Sequence, residues 1–143
     1  MIVVVDASVA AMWFLPEPHS ESAALLLDAK CELIAPDLMR LEVANALLKA
    51  ARRGVIDFAD AVAALTRLSA PSVRFERAGP YAEPAFETAE RHGGSVYDGI
   101  YVALAKAFSA VVATNDMDLA KTARSAEVLV WHLSEPPPPE LRS

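Results

Sequence analysis

The chain of 143 residues has a single cysteine, Cys31, so no disulfide can form within it and no second thiol exists to complete a zinc knuckle. A reduced, cytoplasmic setting fits that composition. Long apolar runs are also missing. The opening Met1-Ile2-Val3-Val4-Val5 has no basic flank and is interrupted by Asp6. Residues 7–15 fall well short of the about 20 apolar residues that span a bilayer. The expectation is a folded protein with neither membrane segment nor targeting signal. Basic charge is scarce too: 13 Lys and Arg stand against 19 Asp and Glu, for a formal net charge of -6. This excludes a protein that coats nucleic acid with bulk positive charge. It leaves open an enzyme that meets phosphate through metal ions. Internal repeats and linkers are absent, and low complexity is confined to the four prolines at 136–139.

What is present is a core. Hydrophobic residues make up 54% of the chain and charged ones 22%, which argues for one ordered domain and against global disorder. The domain is expected over residues 1–134, followed by a proline-rich tail at 135–143 lying outside the core. Short apolar runs alternate with helical patterns. Residues 2–5, 33–35, 110–113 and 128–131 read as buried strands, and Val73 to Glu76 as a short strand at a sheet edge. Helices are expected at 8–15, 18–30, 37–53, 57–68, 80–92, 95–108 and 118–125, with Asp37 capping the third and Gly93-Gly94 ending the fifth. On the fourth, Phe58, Ala61, Val62, Leu65 and Leu68 form the expected inner stripe. Strands separated by helices imply a parallel sheet covered on both faces, with ligands bound beyond the carboxyl ends of the strands.

Four carboxylates sit where an ordinary surface acid would not. Asp6 directly follows the first strand; its ordinary alternative is a helix cap. Glu42 shares a helical stripe with Leu38, Leu41, Asn45 and Leu48, where a charge is costly unless paired with Arg40, Lys49 or a metal. Asp98 stands three residues after Ser95 in a capping-box pattern, with Tyr97, Tyr101, Leu104 and Phe108 as packing surface. Asp116 lies in Thr114-Asn115-Asp116 at the end of a later strand, with Asp118 as its competitor. If the first and later strands are neighbours, Asp6 and Asp116 converge. Clustered carboxylates raise one another's pKa unless a cation offsets them, and hard cations such as Mg²⁺ take oxygen ligands and bridge to phosphates.

Asp6-Ala7-Ser8, Glu42-Val43-Ala44-Asn45-Ala46-Leu47, the run from Tyr97 to Ala105 and Thr114-Asn115-Asp116 together resemble the motifs of PIN-domain ribonucleases, above all the VapC-type toxins of toxin–antitoxin pairs. The resemblance implies a three-layer α/β/α fold with a parallel sheet of about five strands. It implies a metal-dependent endoribonuclease in which Asp6, Glu42, Asp98 and Asp116 hold Mg²⁺ or Mn²⁺, with Ser8, Asn45 and Thr114 as supporting polar residues. It also implies an RNA substrate, a VapB-like antitoxin partner and a homodimer. Asn115 and Gly99 depart from the common pattern without removing a ligand; Gly99 is expected to cost roughly 1 kcal/mol of helix propensity.

Arg40, Arg52, Arg53, Arg91 and Lys106 are candidate RNA contacts, although exposed basic residues on helices are ordinarily just solvated. His92 reads as a helix cap, and Trp13 and Phe14 as core or dimer contacts. Two further readings stand beside the toxin: a PIN nuclease of RNA processing, and a PIN-like module that binds without cutting. A dehalogenase-like hydrolase is disfavoured because Ser8 occupies the position of its second acid. A phosphoreceiver is disfavoured because its paired acids and late lysine are missing.

Overall fold

Ile2, Val3, Val4 and Val5 are all β-branched, and they form the central strand of the computed structural model, which describes residues 1–69 and 72–142. The strands are β1 (Ile2–Val5), β2 (Glu32–Pro36), β3 (Arg74–Glu76), β4 (Val111–Thr114) and β5 (Val130–His132). They make one sheet in the order β3-β2-β1-β4-β5, every pair parallel. The helices are α1 (Ala7–Ala10), α2 (Ser20–Asp28), α3 (Leu38–Arg52), α4 (Phe58–Leu68), α5 (Ala82–His92), α6 (Val96–Phe108) and α7 (Met117–Ser125). The result is a three-layer α/β/α sandwich with β3 at an edge, as the sequence predicts. The chain runs outward from β1 through β2 to β3, then returns to the other side of β1 for β4 and β5. Strand order therefore reverses between β1 and β4, and the crevice beyond their carboxyl ends is where such sheets bind ligands. The Asp6 amide donates to the Ala113 carbonyl at 3.0 Å, so the pairing of β1 with β4 continues into that crevice.

Several expectations give way to tertiary packing. The helix expected at 8–15 is split into α1 and a 3₁₀ turn over Ala11–Trp13. The Asp37 side chain does not cap α3; its Oδ1 accepts instead from the Ala78 amide at 3.1 Å, tying the start of α3 to the chain beyond β3. The buried face of α3 is Met39, Val43, Leu47, Ala50 and Ala51, while Leu41 and Leu48 are exposed. On α4, Ala61, Ala64 and Leu68 face inward and Phe58 and Val62 face out. Ala61 and Ala64 thus take the inner face of α4 with Leu68, and Phe58 and Val62 are left outside. Tyr97 is likewise exposed, whereas Tyr101 and Leu104 are fully buried.

One residue of the expected proline-rich tail reaches the core, while Glu135, Pro136, Pro139, Glu140 and Arg142 are exposed. Leu141 is only 3% exposed and joins the core cluster, held by a 3₁₀ turn over Pro139–Leu141. Glu135 anchors the approach, pairing with Arg124 at 2.8 Å and accepting from the Trp131 indole at its carbonyl. Prolines restrict the chain's freedom before folding, which lowers the entropy cost of holding the segment down.

Gly99 has a different reason for being glycine than helix propensity. A Cβ there would fall on the Ala85 carbonyl of α5, so its absence lets α5 and α6 touch backbone to backbone. Gly99→Ala is therefore expected to lower stability by about 1–3 kcal/mol, the usual cost of overpacking, where helix propensity alone would raise it. Urea denaturation reads the sign directly.

Candidate active site

Each of the four acids owes its position to a different local cause. Asp6 leaves β1 in extended conformation and its carbonyl starts α1. The residue is only 6% exposed. Ser8 Oγ donates to Asp6 Oδ2 at 2.6 Å and Thr114 Oγ1 donates to the same oxygen at 2.8 Å. Those hydroxyls are in turn held by the backbone after β4: the Asn115 amide donates to Ser8 Oγ and the Asp116 amide to Thr114 Oγ1, both at 2.9 Å. One network thus orients Asp6 and stitches the ends of β1 and β4 together.

Glu42 is half-buried on α3 and pairs with neither Arg40 nor Lys49. The Tyr101 hydroxyl of α6 donates to its Oε1 at 2.8 Å. Asp98 closes a full capping box: its amide donates to Ser95 Oγ and its Oδ2 accepts from the Ser95 amide, each at 3.1 Å. Gly94, at φ +80, leaves room beside this box, since a side chain there would meet Thr122 and Asp98. Asp116 is the N-cap of α7, accepting from the Asp118 amide at 2.9 Å. Asp116, not Asp118, therefore caps α7.

Electrostatics ties the four together. Burial raises the Asp6 carboxyl above its ordinary value, the Ser8 and Thr114 hydroxyls oppose the rise, and the charge of Asp116 adds to it. Burial likewise raises Glu42, against the Tyr101 hydrogen bond, and Asp6, Asp98 and Asp116 all push it further. Asp118 is not among these neighbours. None of the groups acting on Asp6 or Glu42 is a cation. Glu42 therefore feels the charge of the three other acids, and Asp6 that of Asp116. The donors are all hard oxygens, the chemistry that suits Mg²⁺ or Mn²⁺ with water completing the shell. Among the described residues no three of these groups are drawn up as a ready-made metal cage. A bound cation would thus rely on water for much of its coordination.

The remaining sequence candidates divide. Asn45 is exposed on α3, and its side chain makes no hydrogen bond among the described residues. Arg40 is taken up by structure, donating to Ser69 Oγ at 2.6 Å and lying over the Phe75 ring. Arg53 lines a groove that opens at Ser8 and Asn115. Arg52 is exposed beside it. Arg91 and Lys106 line a separate cavity between α5 and α6; eight residues of helix place Lys106 about 12 Å along the axis from Asp98. His92 ends α5 and bonds Ser125 Oγ at 3.0 Å. Trp13 and Phe14 pack on the core, the Trp13 indole donating to the Ala23 carbonyl.

Sequence reasoning took Tyr101 for packing surface alone and considered Lys49 only as a partner for Glu42. The signal for Tyr101 was its place one turn after Asp98, on a face where a buried phenol needs an acceptor.

The sequence pattern of the PIN domain matches residues 3–125 of this chain. The chain belongs to the PIN-domain family. Ribonuclease VapC3 of Pyrobaculum aerophilum is 40% identical over 124 residues, covering 85% of this chain and 94% of that protein. The crystal structure of PAE2754 from the same organism superposes with a TM-score of 0.68 at 23% identity, over 91% of this chain and 83% of the other. Mycobacterium tuberculosis VapC20, described as a sarcin-ricin loop cleaving toxin, gives 0.66 at 24% identity, over 82% of this chain and 92% of its own. The PIN fold and the likeness to VapC toxins inferred from the motifs are thus both found. None of the described helices of this PIN-domain protein is long and apolar enough to cross a membrane.

Proposed function

We propose that this PIN-domain protein is the ribonuclease toxin of a toxin–antitoxin pair, cutting RNA phosphodiester bonds in the cytoplasm with Mg²⁺ or Mn²⁺ held by Asp6, Glu42, Asp98 and Asp116. The observation that carries the reading is the convergence of carboxylates from separate chain segments beyond β1 and β4: Thr114 Oγ1 joins the Asp6 carboxylate to the Asp116 backbone, and the charges of Asp6, Asp98 and Asp116 all act on Glu42. The 40% identity to a VapC ribonuclease supports it. When bound, a cation held by these acids would supply charge neutralisation at the phosphate and an activated water for hydrolysis. The chain's own residues do the rest. Ser8 and Thr114 aim Asp6 and favour its ionised form against the effect of burial, Tyr101 does so for Glu42, and the capping box fixes Asp98. A protein partner, an antitoxin or a second copy, is supported by exposed Leu41, Val55, Phe58 and Val62 on and between α3 and α4.

Sequencing RNA ends after controlled expression tests the activity. New fragments with 5′-phosphate and 3′-hydroxyl ends are expected with the wild type and not with Asp6→Asn; identical RNA profiles overturn the reading. Calorimetric Mn²⁺ titration tests the fourth ligand. Affinity is expected to fall by more than about tenfold in Asp116→Ala, and less in Asp118→Ala. The reverse order would transfer the role to Asp118.

A further inference from the structure

Glu42, Ala46, Lys49 and Arg53 follow one another at i, i+4, i+7 and i+11 along α3 and its C-cap, so they share one face of the helix. At 1.5 Å per residue, Lys49 lies about 10 Å and Arg53 about 16 Å along the axis from Glu42. This face is one wall of a groove of about 370 Å³. Ala11, Met12 and Leu15 form the other wall, and Ser8 and Asn115, both bonded into the acid network, stand at its end. Lys49 and Arg53 are exposed and enter no ion pair among the described residues, whereas Arg74 and Arg124 are each paired with a glutamate.

We infer that this groove is the track of the RNA strand leading from the scissile phosphodiester, with backbone phosphates on Lys49 and Arg53 and a base against the aliphatic wall of Ala11, Met12 and Leu15. The inference rests on the ribonuclease reading and names where that reaction holds its substrate. Three features converge on it. The cations begin two helical turns beyond the acid cluster, the separation a strand needs if one phosphate sits at the acids and later ones at the cations. The wall between is apolar and carries the Met12 thioether, which suits the face of an unstacked base. Glu17 also lines the groove, on the α1 side; there it repels phosphate and offers an acceptor to a base edge, so the backbone runs along α3. An acidic peptide meets the same cations but would also meet Glu17 in the groove and approach Asp6 behind Ser8. Unstacked bases imply single-stranded RNA.

Fluorescence anisotropy with a labelled single-stranded RNA 12-mer, in the cleavage-impaired Asp6→Asn background, tests the track across a series of salt concentrations. Replacing Lys49 and Arg53 together by Ala is expected to weaken binding about tenfold and to flatten the log–log salt slope by about 1.4, at roughly 0.7 per phosphate contact on a single strand. Lys30→Ala, at the opposite end of the sheet before β2, removes one positive charge as a control and is expected to leave both unchanged. Equal affinity and slope in the double variant overturn the track. So does a loss confined to a poly-glutamate 12-mer with RNA binding intact, which would assign the groove to an acidic peptide. If the wild type cuts no RNA and the Asp6→Asn parent binds none, the ribonuclease reading itself falls and the track with it. Cleavage by the wild type together with an indifferent double variant would remove the track alone.

Discussion

Asp6→Asn is expected to abolish RNA cleavage and to raise the melting temperature in metal-free buffer. Loss of an outer residue that orients a ligand costs about 10–100-fold, so loss of a proposed direct ligand should exceed about 100-fold in kcat. The stability gain follows from the site's own electrostatics. The Asn carboxamide oxygen still accepts from Ser8 Oγ and Thr114 Oγ1, so the network survives while the buried charge is gone. Because burial raises the folded-state value above the ordinary 3.8, the native protein binds this proton more tightly than the unfolded chain. Ionised Asp6 therefore opposes folding at neutral pH, and that penalty shrinks as pH falls through the raised value towards 3.8. Calorimetry over a pH series from 7 down towards 3.8 should show the variant's advantage narrowing with acidity. Adding Mn²⁺ should raise the wild-type melting temperature and leave the variant's nearly unmoved. A folded variant that cleaves at the wild-type rate would take Asp6 out of the site.

Tyr101→Phe is expected to lower activity at pH 7 by about 10–100-fold while leaving the core packed. The ring is 1% exposed and remains in place; only the hydroxyl that donates to Glu42 is lost. Tyr101 itself is pushed well above its ordinary value by burial and by the charges of Asp6 and Glu42, so it is a neutral donor at every working pH. Its hydrogen bond lowers the Glu42 value against the larger effect of burial. Without it Glu42 holds its proton to higher pH, and the acidic limb of the rate profile should move upward. Activity lost at pH 7 should then partly return at higher pH. A pH–rate profile at saturating metal decides this, and superimposable limbs would make the contact purely structural. The same shift, read as metal affinity, should appear as weaker Mn²⁺ binding in the variant.

Much of the fold was legible because its signals are local. Four β-branched residues in a row make β1, Pro84 lies in the first turn of α5 where it is tolerated, and Ser95-x-x-Asp98 forms the capping box its spacing announces. The inward faces of α3 and α4 were not legible, because both helices carry apolar residues on more than one face. Periodicity proposes Leu41 and Leu48 as readily as Met39, Val43 and Leu47. Close packing of α3 on α4 selected the face with alanines on α4 and exposed Phe58 and Val62. Leu141 was missed for a similar reason: polyproline composition speaks to backbone conformation and is silent about one leucine beyond it.

The same division runs through the candidate site. By itself the sequence determined which acids are misplaced for ordinary surface residues and which hydroxyls accompany them, since strand ends and helix starts are set by residues near in the chain. Only the tertiary structure decided that Asp116 both caps α7 and acts on the shared cluster, that Glu42 is held by Tyr101 from 59 residues away, and that Lys49 and Arg53 rather than Arg91 and Lys106 border the crevice. These depend on the reversal of strand order between β1 and β4, which brings the distant segments after them to one edge. Hydrogen bonds reach about 3 Å, and charge–charge repulsion is largely screened beyond about 10 Å. Which groups feel one another is therefore a property of where the strands lie, not of how far apart the residues are along the chain.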